Sequence, residues 1–267
     1  KDSELTPRLA EMDRQIGLAC KGQMKAEILL EEARRATMAA VAPREKAIRL
    51  YLLAHLTKHV VREGMGEARA EYHRASEAWK DFPAAYVEEA DIADRMRETR
   101  VALDLIDKAL QYDPEYGPAR LLLARISISA KDYARAKALC ERAMDKGATG
   151  EACELLATAC NFLAEECYKP EEKKALLERA ISAAEARVAL EPQSGLAHLF
   201  RASFYVEIGL FGAAAKALEE SLRTVVEPRF QGAGLRFLLH INTRLGRITA
   251  VKETLARLLK CELIQGE

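Results

Sequence analysis

Small and apolar residues recur along this chain in a fixed figure. Ala68/Tyr72/Ala75, Ala102/Ile106/Ala109 and Ala136/Cys140/Ala143 each have internal spacings of 4 and 3, and each triplet begins 34 residues after the last. An i, i+4, i+7 spacing sets each triplet on one helical face. Two Ala flanking a larger residue let a neighbouring helix come close, in the lower part of the usual range of about 8–10 Å. Ahead of each triplet lies another amphipathic stretch of about 14 residues, the pattern of a second helix. Turn-forming residues punctuate the stretches: Gly64 and Gly66, Pro83, Asp113-Pro114, Gly147, Pro170, Glu191-Pro192, Gly209, Pro228 and Gly246. The repeating unit is a helical hairpin.

A 34-residue helical hairpin whose second helix carries the Ala-rich face and ends near a Pro resembles the tetratricopeptide repeat (TPR) family. The clearest copy is 83–116, with Tyr86, Ala90, Ala102, Ile106, Ala109 and Pro114 at the family's positions. Copy 117–150 keeps Leu123, Ala124, Tyr133, Ala136 and Ala143 but has Ala148 where Pro is usual, and copy 195–228 keeps Ala202, Tyr205, Gly209, Phe211 and Ala214. Weaker copies span 49–82, with Leu56, and 229–261, with Leu238, Gly246 and Ile248. The copy at 151–194 is stretched to 44 residues, which predicts longer helices over 149–167 and 171–190 and a hairpin that projects past its neighbours. Residues 1–48 read as an N-terminal helical pair or cap: Thr6-Pro7 starts its first helix, Gly22 ends it, and Pro43 ends the second. Residues 262–267 are a C-terminal tail. The expected fold is all-α, about seven antiparallel hairpins in one continuous right-handed superhelical solenoid.

Composition agrees. The chain has 267 residues, of which 47 are Ala and 35 Leu, against 14 Gly and 8 Pro. Its 41 basic and 41 acidic side chains cancel, which argues against a nucleic-acid partner, because phosphate binding needs a basic surplus on one face. Here Lys and Arg alternate with Glu and Asp as i, i+4 partners. A charge interrupts every apolar stretch, so no direct membrane insertion is expected. Six Cys, none in a C-x-x-C pair, fall within predicted helices as small apolar residues, and reduced thiols suggest a cytoplasmic setting. The chain begins at Lys1 rather than Met, so a processed leader or a trimmed start is an open alternative.

No enzyme signature emerges. Gly64-Met65-Gly66 and Gly232-Ala233-Gly234 lack the third Gly and the Lys-Ser/Thr of a phosphate cradle and read as interhelical turns. No nucleophile, base and orienter show the spacing of a catalytic set, and no cofactor is expected. His55 and His59, four apart, could give two metal ligands, but without a third they read as packing residues. Cys153, Cys160 and Cys167 recur every seven residues, about 10 Å apart along a helix, too far for one metal or a disulfide. Trp79 is expected to anchor a hairpin junction.

Resemblance to TPR proteins implies a concave groove lined by the first helix of each hairpin and used for protein or peptide segments. Carried over position by position, that lining is Leu53 and Thr57, then Val87, Glu88, Asp91, Asp94 and Arg95, then Leu121, Arg125 and Ile128. The stretched copy adds Leu155, Ala159 and Phe162, and the last two add Leu199, Ser203, Val206, Arg236 and His240. The Lys, Asn and Arg clamp that some TPR co-chaperones use for a C-terminal carboxylate is absent, its positions holding Leu53, Thr57, Glu88, Pro118 and Leu122 or, one copy later, Val87, Asp91, Leu122, Ala152 and Leu156. A Glu88/Asp91/Asp94 strip would instead favour a basic or amphipathic partner helix, unless Asp91 and Arg95 simply pair at i, i+4. The expected function is that of a non-catalytic interaction scaffold. Self-assembly as a homo-oligomer, or service as the targeting or regulatory region of a larger enzyme, are the alternatives.

Overall fold

The structure, a computed structural model, describes residues 4–20, 25–145, 147–224 and 228–265, with the backbone alone for 228–230 and 262–265. Fourteen α-helices occupy the described residues: α1 (Leu5–Cys20), α2 (Ala26–Ala39), α3 (Pro43–Val60), α4 (Met65–Ala78), α5 (Pro83–Arg95), α6 (Thr99–Tyr112), α7 (Gly117–Ser129), α8 (Tyr133–Met144), α9 (Gly150–Glu166), α10 (Pro170–Leu190), α11 (Gly195–Glu207), α12 (Phe211–Thr224), α13 (Pro228–Arg244) and α14 (Ile248–Gln265). The chain divides within α7 into two compact units, 1–126 and 127–267.

In the first unit α3 pairs with α4, α4 with α5 and α5 with α6, as consecutive hairpins. All three positions of Ala68/Tyr72/Ala75 and of Ala102/Ile106/Ala109 are fully buried. Tyr51, Tyr72 and Phe82 form an aromatic knot, with ring centroids 5.1 and 5.4 Å apart around Tyr51. Trp79 caps α4, stacks on Phe82 at 5.0 Å and lies under the Arg44 guanidinium, so it does pin the α4–α5 junction. Two glycines in one turn differ in role. A Cβ on Gly64 would sit 2.7 Å from the Thr57 carbonyl oxygen, whereas one on Gly66 would meet nothing within 4 Å.

The N-terminal region departs from a simple helical pair. Thr6 and Pro7 lie within the first turn of a helix that already starts at Leu5. Pro43 starts α3 rather than ending α2, which stops at Ala39; its fixed φ and missing N–H suit a first turn. The first hairpin thus begins six residues ahead of 49. Helix α1 packs chiefly on α3, not on α2, through ion pairs of Arg8 with Glu45 (2.9 Å) and Glu4 with Arg44 (3.3 Å). Gly22 lies outside the described residues.

The second unit repeats the scheme in α8 through α14. Ala136, Cys140, Cys153 and Cys160 fill the α8–α9–α10 interior, and burial pushes the Cys140 thiol up to about 12 and that of Cys160 up to about 11. Cys167 falls just past α9, at its C-cap, and is only half-buried. The stretched hairpin has helices of 17 and 21 residues, beside 13 and 14 in α11 and α12. Gly232-Ala233-Gly234 is not a turn but part of α13, where Gly234 leaves room for Leu222 of α12: an added Cβ would lie 3.1 Å from its Cδ2.

Candidate partner-binding surface

The residues expected to line a groove divide sharply by exposure. In the first unit Leu53, Thr57, Val87, Asp91 and Leu121 are all buried. Thr57 lies between α3 and α4, its hydroxyl 3.5 Å from a Glu71 oxygen, so it serves the hairpin interior. Val87 and Leu121, at 8% and 6% exposure, belong to the core. Sequence periodicity had marked the correct helices, but the helix packed against each decides what a face can reach.

Glu88 and Asp91 of the acidic strip are matched from within the chain. Glu88 binds Lys58 Nζ at 2.9 Å; Asp91 binds the same Nζ at 3.1 Å, Arg95 Nε at 3.0 Å, and Arg125. The expected i, i+4 pair of Asp91 and Arg95 therefore forms, joined by cations from α3 and α7. Burial alone would raise the Asp91 pKa, but Lys58 and Arg125 more than offset it and hold the carboxyl below its ordinary range. Asp94 is half-buried beside this cluster. Two of the strip's three carboxylates, Glu88 and Asp91, thus face three cations of the chain itself, which leaves them little charge to offer a basic partner.

In the second unit the counterpart positions reach solvent. Ile128, Leu155, Phe162, Leu199, Ser203 and Val206 are half-buried, while Arg236 and His240 are exposed; Ala159 alone is buried. Phe162 stacks on Tyr133 with centroids 4.8 Å apart, which fixes its ring. The Ser203 hydroxyl donates to the Phe200 carbonyl at 2.7 Å.

Around His55 the chain builds a packing contact. Its Nε2 lies 2.8 Å from Asp13 Oδ1, tying α1 to α3, and its ring meets His59 edge-on at 4.6 Å. Burial and the neighbouring His55 and Lys58 lower the His59 pKa. Among the described residues, no group of three His, Cys, Asp or Glu side chains is placed to hold a metal ion, and no helix is long and apolar enough to cross a membrane.

A feature that sequence reading did not find is a cleft of about 860 Å³ in the first unit. Arg34, Thr37 and Met38 of α2, Lys46, Leu50 and Leu53 of α3, and Glu71, Arg74 and Ala78 of α4 are among its walls. Leu53 is thus on a ligand-sized surface, though one formed against α2. Its only sequence signal was the apolar spacing of Leu50 and Leu53; the α2 contact joins residues as far apart as Arg34 and Glu67, paired at 2.9 Å.

This architecture is that of a helical-repeat protein, assembled from sequential hairpins. Residues 95–159 match the tetratricopeptide repeat family model. Among solved structures, the chain is similar to PilW, a widely conserved type IV pilus biogenesis factor, at 16% identity and a TM-score of 0.63 over 79% of this chain and 91% of that one. It is also similar to Pseudomonas aeruginosa pilF (13% identity, TM-score 0.59, 88% and 99% covered). A tetratricopeptide repeat protein from Parabacteroides merdae aligns over 96% of both chains, with 14% identity and a TM-score of 0.57. No curated protein matches the chain. The chain thus has the fold of these tetratricopeptide repeat structures and carries a match to that family's repeat over residues 95–159.

Proposed function

We propose that this protein is a non-catalytic scaffold that seats an amphipathic helical or extended partner segment on the first helices of its second-unit hairpins, α9, α11 and α13. The observation that supports this reading is the exposure contrast: Leu155, Phe162 and Leu199 are half-buried and Arg236 and His240 exposed, whereas Leu53, Thr57, Val87 and Leu121 are buried and Glu88, Asp91, Arg95 and Arg125 are engaged in internal ion pairs. Apolar side chains held half-exposed by neighbouring helices can be covered with little rearrangement of the scaffold. Phe162, fixed against Tyr133, is the kind of rigid aromatic that carries interface energy. Apolar anchors spaced along helices suit a partner read through its own apolar face. The test is co-purification from the protein's own cells with wild type and with an Arg236→Glu/His240→Glu variant, both sites being exposed, with far-UV circular dichroism to verify that the variant is folded. A partner kept by the wild type and lost by the folded variant is the expected result; equal recovery with both contradicts it.

Self-association is a second reading, supported by α14. Ile248, Leu255 and Leu259, at spacings of 7 and 4 on one helical side, are 71%, 43% and 54% exposed. Light scattering across a range of concentrations tests it: a mass that rises with concentration, and stays monomeric in Leu255→Glu/Leu259→Glu, supports association through this face, and a constant monomer mass excludes it.

A further inference from the structure

The cleft between α2 and the α3–α4 hairpin holds a carboxylate that the chain itself leaves poorly served. Glu71 is 3% exposed. Its contacts among the described residues are long: the Thr57 hydroxyl at 3.5 Å and Arg74 Nη2 at 3.7 Å. Buried carboxylates elsewhere in the same unit have closer partners, as Asp91 does with Lys58 and Arg95. A desolvated carboxylate with no short hydrogen bond is costly to keep ionised, and burial accordingly raises the Glu71 pKa.

The other charges of the cleft stand at its rim. Arg34 and Glu67, 45% and 47% exposed, neutralise each other at 2.9 Å. Arg74 and Glu77 are 58% and 67% exposed, and Lys46 is exposed as well. Water screens these groups, so the charge preference of the cleft is set at its floor, where Glu71 lies. Above that floor stand Leu50, Leu53, Ala78 and Met38, an apolar wall suited to a methylene stem. At about 860 Å³ the cleft has room for one long side chain together with the residues next to it.

We propose that this cleft is a binding site for a Lys or Arg side chain of a partner protein, its stem lying on Leu50 and Leu53 and its cationic head hydrogen-bonded to the Glu71 carboxylate. The site does not rest on the second-unit surface described above, and either can fail without the other.

The probe is the blocked tripeptide acetyl-Leu-Arg-Leu-amide, compared with its citrulline counterpart, which keeps the shape and loses the charge. Calorimetric titration of the wild-type protein is expected to show the Arg peptide binding about ten-fold or more tighter than the citrulline peptide. Glu71→Gln removes that preference, while Glu77→Gln at the rim retains it; far-UV circular dichroism verifies that both variants keep their helices. Equal affinity for the two peptides, absence of binding at millimolar Arg peptide, or an unchanged preference in Glu71→Gln overturns the proposal. The comparison of peptides on wild type stands even if a variant unfolds.

Discussion

Glu71 and Asp91, both buried carboxylates of the first unit, titrate in opposite directions because one lacks a close cation and the other has three. With the Glu71 pKa raised, the folded state holds its proton over a range where the unfolded chain has released it, so Glu71 costs stability as pH rises from its ordinary value of 4.5 through the folded one. Glu71→Gln is therefore expected to melt higher than wild type at pH 8, with the advantage shrinking toward pH 5, as thermal scans across that range would measure. Asp91 has the opposite sign. Its lowered pKa adds stability that is present above the ordinary value of 3.8 and is lost as pH falls through the folded one. Asp91→Asn takes a counter-charge from Lys58, itself 11% exposed, and should cost about 2 kcal/mol in urea unfolding at pH 7, with less difference in acid.

At the scale of elements, the turn before α4 gives a prediction of opposed signs. Gly64→Ala would force its methyl to within 2.7 Å of the Thr57 carbonyl and should destabilise by about 1–3 kcal/mol, whereas Gly66→Ala, with open space around it in the first turn of α4, should stabilise by about 0.5 kcal/mol. Denaturant midpoints of the two variants would separate them. The second helices were the most legible part of the fold, because a triplet that must admit a close neighbour tolerates only small flanks. The same figure recurs, buried, as Ala214/Leu218/Ser221 and Thr254/Leu258/Cys261. Neither triplet keeps the 34-residue register of the first three, because the stretched hairpin adds ten residues ahead of Ala214 and Thr254 follows Ala214 by 40. First helices were less legible. Periodicity identifies a face, but whether Leu53 or Leu199 on that face meets protein or water depends on which distant helix covers it, and no spacing encodes that. For the same reason the α2 cleft and the cations matching Asp91, drawn from residues 58 and 125, were not visible in the chain as read.

Across the whole molecule, the two units use equivalent positions of the repeat differently. In the first, the expected groove residues close a core and an internal ion-pair cluster; in the second, they leave Leu155, Phe162, Leu199, Arg236 and His240 accessible. Val87→Glu and Leu121→Glu should thus act by unfolding, lowering the melting temperature, while His240→Glu, at an exposed position, should leave it nearly unchanged. The most direct test of the central claim is site-specific photo-crosslinking in the protein's own cells, with benzoylphenylalanine placed at Leu199 on α11 or at Lys216, exposed on α12. A cross-link to one second protein from position 199 and none from 216 is the expected result. Cross-links from 216 alone, or the same products from both positions, would contradict a partner surface on the first helices of these hairpins.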